Sequence, residues 1–317
     1  MVTDRKQQIC KGIMVVAPAI FLGATAGMLH QREPFYSWFY CFAWWSYIIF
    51  AEAWLHHRGG ASLLISTPYR FLALLPLSVN IWLVFEVFNF RLRNWSYVDV
   101  PAPLGIRWLA YTISFATVLP GIFTTSSLLE YLGVIKSGSA TPLTSPRGWY
   151  RPCVVIGLAF LLLPIIWPKY FFPLVWGGFI FLLEPVNHHF HANSLLRDGE
   201  QGSFQRLYLL LLAGACCGFL WEFWNFWAGS KWVYTIPYVH FFKIFEMPVL
   251  GFLGFPPFAV ECYVMVASVQ LITSRLKESL TRRQYAIAVL ILITLLALLD
   301  CWIYGEMDRL TVISYRG

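Results

Sequence analysis

The chain has 317 residues, of which 58% are hydrophobic and 12% charged, with a mean hydropathy of +0.62. A water-soluble domain carries about 25% charged residues, so this composition excludes a soluble enzyme and leaves no room for a separate soluble domain. The formal net charge of +7 calls for no nucleic-acid partner, because basic residues collect beside membrane-spanning helices.

Apolar runs of about 17–25 residues recur along the chain, the length that crosses about 30 Å of hydrocarbon. Nine spans are expected: residues 12–29, 37–55, 71–90, 107–135, 152–167, 170–187, 207–228, 243–272 and 285–304. The first has Arg5, Lys6 and Lys11 ahead of an apolar stretch and Ala24-Thr25-Ala26 after it. A cleaved signal peptide has the same layout; it is read here as a retained helix. The fifth and sixth are separated only by Pro168-Lys169 and form a tight hairpin. The segment 136–149, KSGSATPLTSPRGW, is the clearest loop, and the last few residues are expected to fray. Of the 23 Lys and Arg residues, 14 fall on the amino-terminal side of the nine spans. That bias places the N-terminus in the cytoplasm and the C-terminus on the opposite side. The seven cysteines lie mostly in apolar segments, with no disulfide or metal spacing.

Residues 82–101, WLVFEVFNFRLRNWSYVDVP, and 218–238, GFLWEFWNFWAGSKWVYTIPY, are two copies of one segment. Upstream, AEAWLHH pairs with LEPVNHH. Glu52, His56 and His57 recur 132 residues later as Glu184, His188 and His189. Arg70, Glu86 and Asn89 recur after 136 residues as Arg206, Glu222 and Asn225, and Trp95 and Tyr97 after 137 as Trp232 and Tyr234. A duplicated unit that retains its polar residues assigns them a task. The expected architecture is therefore an all-α polytopic integral membrane protein with two tandem four-helix repeats, 1–136 and 150–274, joined by a loop at 137–149. The copies enter from one side, which predicts a pseudo-twofold axis along the membrane normal. Residues 275–317 add a ninth helix and tail.

Eight of the sixteen acidic residues fall inside apolar runs, where ionisable groups are costly and are functional candidates. Helix direction sorts them by depth. Glu52, Glu130, Glu184 and Glu261 come late in inward-running spans, beside His56 and His188. Glu at i and His at i+4 share one helix face. Four Glu and two His match the ligand mixture of di-iron and di-manganese bundles, although those use a Glu-x-x-His spacing. A divalent transition metal, Fe or Mn, is one expected occupant; a proton or cation path and purely structural hydrogen bonding are the others. The second group gathers Glu86, Glu222 and Glu246 as candidate catalytic acids at the far face. Asn89, Asn225, Trp95, Tyr97, Trp232 and Tyr234 are candidate substrate contacts there. Trp and Tyr at span ends also serve as interfacial anchors. A carboxyl in an aromatic pocket suits acid-initiated chemistry on a polyene or isoprenoid chain.

The stretch Trp227–Pro237, WAGSKWVYTIP, followed by Lys243–Pro248, KIFEMP, resembles the membrane lycopene-cyclase domain family. That family has Trp-x-(Tyr/Phe) after a span, then Pro-Ile-Glu-Glu. The resemblance implies redox-neutral cyclisation by acid catalysis. Only Glu246 carries over, in a reversed Glu-Met-Pro order, and the chain has no Glu-Glu pair. The first copy, Phe115–Pro120, has no matching acid. The expected function is an integral-membrane enzyme acting on a membrane lipid or isoprenoid, as a monomer or oligomer. The alternatives are a proton- or cation-coupled transporter or channel, and an accessory subunit of a membrane complex.

Overall fold

The computed structural model describes residues 2–136, 138, 140–238 and 241–316. Residues 137 and 139 of the expected connecting loop lie outside the described residues. In chain order the helices are α1 (Val2–Leu29), α2 (Phe39–His57), α3 (Leu63–Ser66), α4 (Pro68–Leu92), α5 (Leu104–Phe115) and α6 (Val118–Tyr131). They continue as α7 (Tyr150–Ile166), α8 (Pro168–Phe171), α9 (Gly178–His189), α10 (Leu195–Glu200), α11 (Gln205–Trp227), α12 (Phe255–Ser279) and α13 (Arg282–Leu310). The strands are β1 (Trp95–Val98), β2 (Val100–Pro101), β3 (Lys231–Tyr234), β4 (Lys243–Ile244), β5 (Met247–Pro248) and β6 (Tyr315–Arg316).

Eight segments are long and apolar enough to cross a membrane: Arg5–Leu29, Pro68–Leu92, Leu104–Tyr131, Pro146–Ile166, Pro168–His189, Gln205–Trp227, Val249–Ser279 and Arg282–Leu310. The expected second span is absent from that set because Trp44, Trp45, Trp54 and its terminal histidines lower the hydropathy of α2. Its 19 residues still cover about 28 Å, and its ends meet opposite ends of the bundle. The Tyr36 carbonyl just before it accepts from Gly229 N–H at 2.8 Å, next to β3. At its other end His57 Nδ1 lies 2.5 Å from Gln7 Oε1.

Two expected spans are interrupted, and each break is repaired by a polar side chain from a neighbouring helix. Pro120 has no N–H to offer the Ala116 carbonyl, so the expected 107–135 helix divides into α5 and α6. Buried Ser78 of α4 donates to the Phe115 carbonyl at 2.6 Å and accepts from Leu119 N–H at 3.0 Å. The expected 170–187 helix breaks around Pro173 and Gly177, and α9 starts afresh at Gly178. Glu261 of α12 accepts from Phe179 N–H at 2.7 Å. Backbone groups freed inside a bilayer need such partners. The eighth span starts later than expected: residues 243–248 form a β4–β5 hairpin, and the span covers Val249–Ser279.

The core is aromatic. Trp44 meets Trp224 at 4.9 Å and Trp221 at 5.6 Å between ring centroids, and Phe85 stacks on Trp176 at 5.3 Å. Gly214 and Gly218, one turn apart on α11, allow α12 to approach closely. A Cβ at Gly214 would lie 2.4 Å from the Phe255 carbonyl oxygen.

The all-α expectation missed the strands, which close one end of the bundle. β1 and β3 pair antiparallel with Trp95 opposite Tyr234, Ser96 opposite Val233 and Tyr97 opposite Trp232. The tail expected to fray is instead tied to the free edge of β1. Tyr97 N–H donates to the Thr311 carbonyl and Ile313 N–H to the Tyr97 carbonyl, both at 2.8 Å. β6 then pairs parallel with β2. Asp308 at the end of α13 anchors this arrangement. Its oxygens accept from Arg107 Nε and Nη2 at 2.8 Å each, from Trp108 Nε1 at 3.0 Å and from the Tyr111 hydroxyl at 3.0 Å. Arg107 also donates to the Pro101 and Ala102 carbonyls. Removing one partner of such a pair strands the other as a buried charge. Asp308→Ala is therefore expected to cost about 3–5 kcal/mol of stability, with Asp308→Asn costing less; unfolding in detergent checks both, and a wild-type midpoint for Asp308→Ala would refute the anchor.

Candidate functional site

The two copies of the duplicated segment build two related polar clusters beneath the β1–β3 ladder. Glu86 is fully buried on the last turns of α4. Its Oε1 accepts from Trp82 Nε1 at 2.9 Å, one turn earlier, and from Trp95 Nε1 at 3.0 Å and the Tyr97 hydroxyl at 2.5 Å, both on β1. Glu222, equally buried, accepts from the Tyr234 hydroxyl at 2.7 Å, which itself accepts from Trp232 Nε1 at 2.8 Å. The second cluster has fewer direct donors because Gly218 stands where the first copy has Trp82, and α12 fills that space. Oε2 of each glutamate has no hydrogen-bond partner among the described residues. Tyr97 and Tyr234 lie beyond the spans. Burial first, and the adjacent carboxylate second, push both phenols well above their ordinary pKa.

Asn89 and Asn225 hold the strands in place. Asn89 Nδ2 donates to the Trp95 carbonyl at 2.9 Å, and its Oδ1 accepts from Asn94 N–H at 2.9 Å and Trp95 N–H at 3.3 Å. Asn225 donates to the Trp232 carbonyl and accepts from Trp232 N–H, both at 2.9 Å. Each side chain thus grips both backbone groups of the tryptophan that begins its Trp-x-Tyr motif.

A cavity of about 670 Å³ opens against this ladder. Trp95, Tyr97, Trp232 and Tyr234 all line it. The three candidate acids and the two asparagines do not line it. Glu86 and Glu222 stand behind the tyrosines, which carry the contact. Glu246 lies outside the span expected to hold it, in the β4–β5 turn, and pairs with Lys231 Nζ at 2.7 Å. Among the described residues, Lys231 is the one charged residue on the cavity wall. Trp221 also lines the cavity, and its buried indole N–H has no partner among the described residues.

The six candidate metal ligands are dispersed into separate hydrogen bonds. Glu52 accepts from the Ser62 hydroxyl at 2.7 Å, Leu64 N–H at 3.0 Å and the Thr124 hydroxyl at 2.7 Å. Glu184 repeats the pattern with the Ser194 hydroxyl at 2.6 Å and Leu196 N–H at 2.9 Å. Ser62 and Ser194 are the N-caps of α3 and α10, so these glutamates pin a short helix to the span before it. His56 Nδ1 sits 3.3 Å from Ser66 Oγ, and His188 lies between the Tyr150 hydroxyl at 2.5 Å and Glu200 at 2.8 Å. Glu130 is exposed at the end of α6, and Glu261 caps α9. Among the described residues, no group of three or more His, Cys, Asp and Glu is placed to hold a metal ion. A Glu-x9-Ser spacing, present in both copies, carried the signal for this role. The Arg107–Asp308 pair is not duplicated, so the repeat could not flag it.

No protein-family model, curated protein or solved structure matches the chain. Asn89→Ala or Asn225→Ala leaves buried backbone groups unpaired and is expected to cost about 1–3 kcal/mol each. Thermal unfolding in detergent measures this; unchanged midpoints would remove the clamp.

Proposed function

We propose that the chain is an integral-membrane enzyme that binds a lipid or isoprenoid chain in the aromatic cavity and moves protons at it through two carboxyl–phenol pairs, Glu86–Tyr97 and Glu222–Tyr234. The observation that carries this reading is the placement of both tyrosines on the cavity wall, each bonded to a buried glutamate whose second oxygen has no partner among the described residues. The aromatic lining suits an apolar chain. Lys231 and Glu246 neutralise one another at the wall, which favours an uncharged ligand.

With Glu86 protonated, the carboxyl becomes the donor to the phenol oxygen and the phenol hydrogen turns toward the ligand. One pair then delivers a proton to a double bond while the other accepts one from the resulting cation. The sum is a redox-neutral isomerisation or cyclisation, with aromatic faces available to stabilise the cationic intermediate. The resemblance to the membrane lycopene-cyclase domain points the same way: its Trp-x-Tyr falls on β3, within the proposed site.

The register of the ladder supports the repeat. Exchanging each residue for its duplicate turns the pair Trp95–Tyr234 into Trp232–Tyr97, and Ser96 faces its own counterpart Val233. A twofold axis through that pair, along the membrane normal, would relate two four-helix repeats, with α13 added. The cavity would lie near this axis, so both halves serve one elongated ligand. In this reading the N-terminus is cytoplasmic and the ladder end faces the opposite side. Cysteines at Arg58 and Ala102 should then react with an impermeant maleimide from the cytoplasmic and the opposite side respectively, over the native-cysteine background; the reverse pattern inverts the orientation.

The chemistry is tested with purified protein in nanodiscs and an acyclic polyene, products being separated by chromatography. Wild type should yield an isomer of equal mass. Glu86→Gln and Glu222→Gln retain shape but cannot exchange the carboxyl proton, and should each lose about 10²–10⁴ in rate while melting like wild type. Full activity in both variants would leave the glutamates as structural clamps.

A further inference from the structure

A second cavity, of about 710 Å³, lies beside the aromatic one, between α1, α2 and α5. Its wall includes Ile9, Gly12, Val16 and Ile20 of α1 and Phe42 and Trp45 of α2, and among the described residues Ser46 is its one hydroxyl. Ile9, Val16 and Ile20 remain about half exposed, at 49%, 55% and 48%. On a membrane-spanning helix that exposure faces hydrocarbon. From Ile9 to Ile20 the groove follows α1 for about 16 Å. Trp38 and Cys41 line both cavities. Cys41 Sγ sits 3.2 Å from Ser114 Oγ of α5, itself on the wall of the aromatic cavity. The partition between the two spaces is therefore one side chain thick and includes the partly buried Trp38.

An aqueous ligand or ion moving through this groove would need a succession of polar partners, and the wall does not supply them. An apolar chain arriving from the bilayer meets a continuous apolar surface. We propose that the groove between α1 and α2 is the lateral entry site through which an uncharged apolar chain leaves the bilayer for the aromatic cavity, with Trp38 and Cys41 as the partition it must displace. This rests on the reading that the aromatic cavity binds such a chain. A site inside the hydrocarbon also removes the need to carry the ligand through water, where exposing each CH₂ costs about 0.8 kcal/mol.

Gly12 provides the test, because a Cβ built there meets nothing within 4 Å. Gly12→Phe should fill the groove without disturbing α1, and replaces the poorest helix former but proline with a better one. Val16→Phe plugs the same groove from a second position. Val15→Phe, on α1 but off the groove wall, is the control. The full chain in nanodiscs is mixed rapidly with a diazirine-bearing farnesol, photolysed at set times, and the labelled peptides are identified by mass spectrometry. In wild type the groove should label first and the cavity segment around Phe255–Phe258 later. Both plug variants should slow cavity labelling at least tenfold with the end point retained, Val15→Phe should match wild type, and Trp38→Ala should accelerate entry severalfold. Cavity labelling at the wild-type rate in both plug variants overturns the lateral route and leaves the cavity reading standing. A cavity that never labels in wild type overturns both.

Discussion

A polar group buried in a helix bundle surrounded by hydrocarbon must find its partner inside the protein. That constraint organises this chain. Each buried glutamate meets donors from a segment distant in sequence, and in doing so fixes where that segment lies. Glu52 and Glu184 seat the N-caps of α3 and α10. Glu261 supplies the acceptor that lets α9 start within the bundle. Glu86 and Glu222 hold the tyrosines of β1 and β3. The carboxylates thus pin neighbouring segments to the spans, and those held by Glu86 and Glu222 form part of the cavity wall.

The duplicated polar residues divide into two kinds. Those at the amino-terminal end accept from hydroxyls and backbone N–H groups at the starts of α3 and α10. Those beneath the ladder accept from its tyrosine hydroxyls, and among the described residues Oε2 of Glu86 and Glu222 has no partner, as is also true of Glu184 and Glu261. The same ladder places four aromatic side chains of the two copies on one cavity wall. Around this shared centre the halves differ. The first receives Asp308 and the tail strand; the second receives the Lys231–Glu246 pair and the glycine contact between α11 and α12.

The most exposed helices lie at the edges of the bundle. α13 buries Ile303, Tyr304 and Met307 near its C-terminal end and leaves Leu290, Leu295 and Leu298 open. Its tether is electrostatic and terminal: Asp308 on Arg107, then backbone pairing of the tail with β1 and β2. α1 follows the opposite pattern, lying along α2 while leaving a groove beside it. Stability and access are therefore assigned to different edges of the molecule.

The sequence by itself determined the solvent, the approximate place of most of the apolar segments, and the pairs of residues that recur at 132, 136 and 137. Composition and span length are properties of the chain alone, and duplication is visible wherever residue types repeat. It also marked Trp95, Tyr97, Trp232 and Tyr234 as a group, since aromatics just past a span have few positions to occupy. The partners of the acids were decided by tertiary structure. A Glu late in a helix reads identically whether its neighbour is a metal, a serine hydroxyl or a tyrosine, and the choice depends on segments about 10 to 80 residues away. The breaks at Pro120 and Gly177 were likewise hidden, because a helix interrupted inside a bundle survives only if another helix supplies the missing bond, as Ser78 and Glu261 do. Asp308 and Arg107 lie 201 residues apart, and Asp308 is outside the repeat, so only folding could bring a buried ion pair out of two charges that each look like an ordinary helix end.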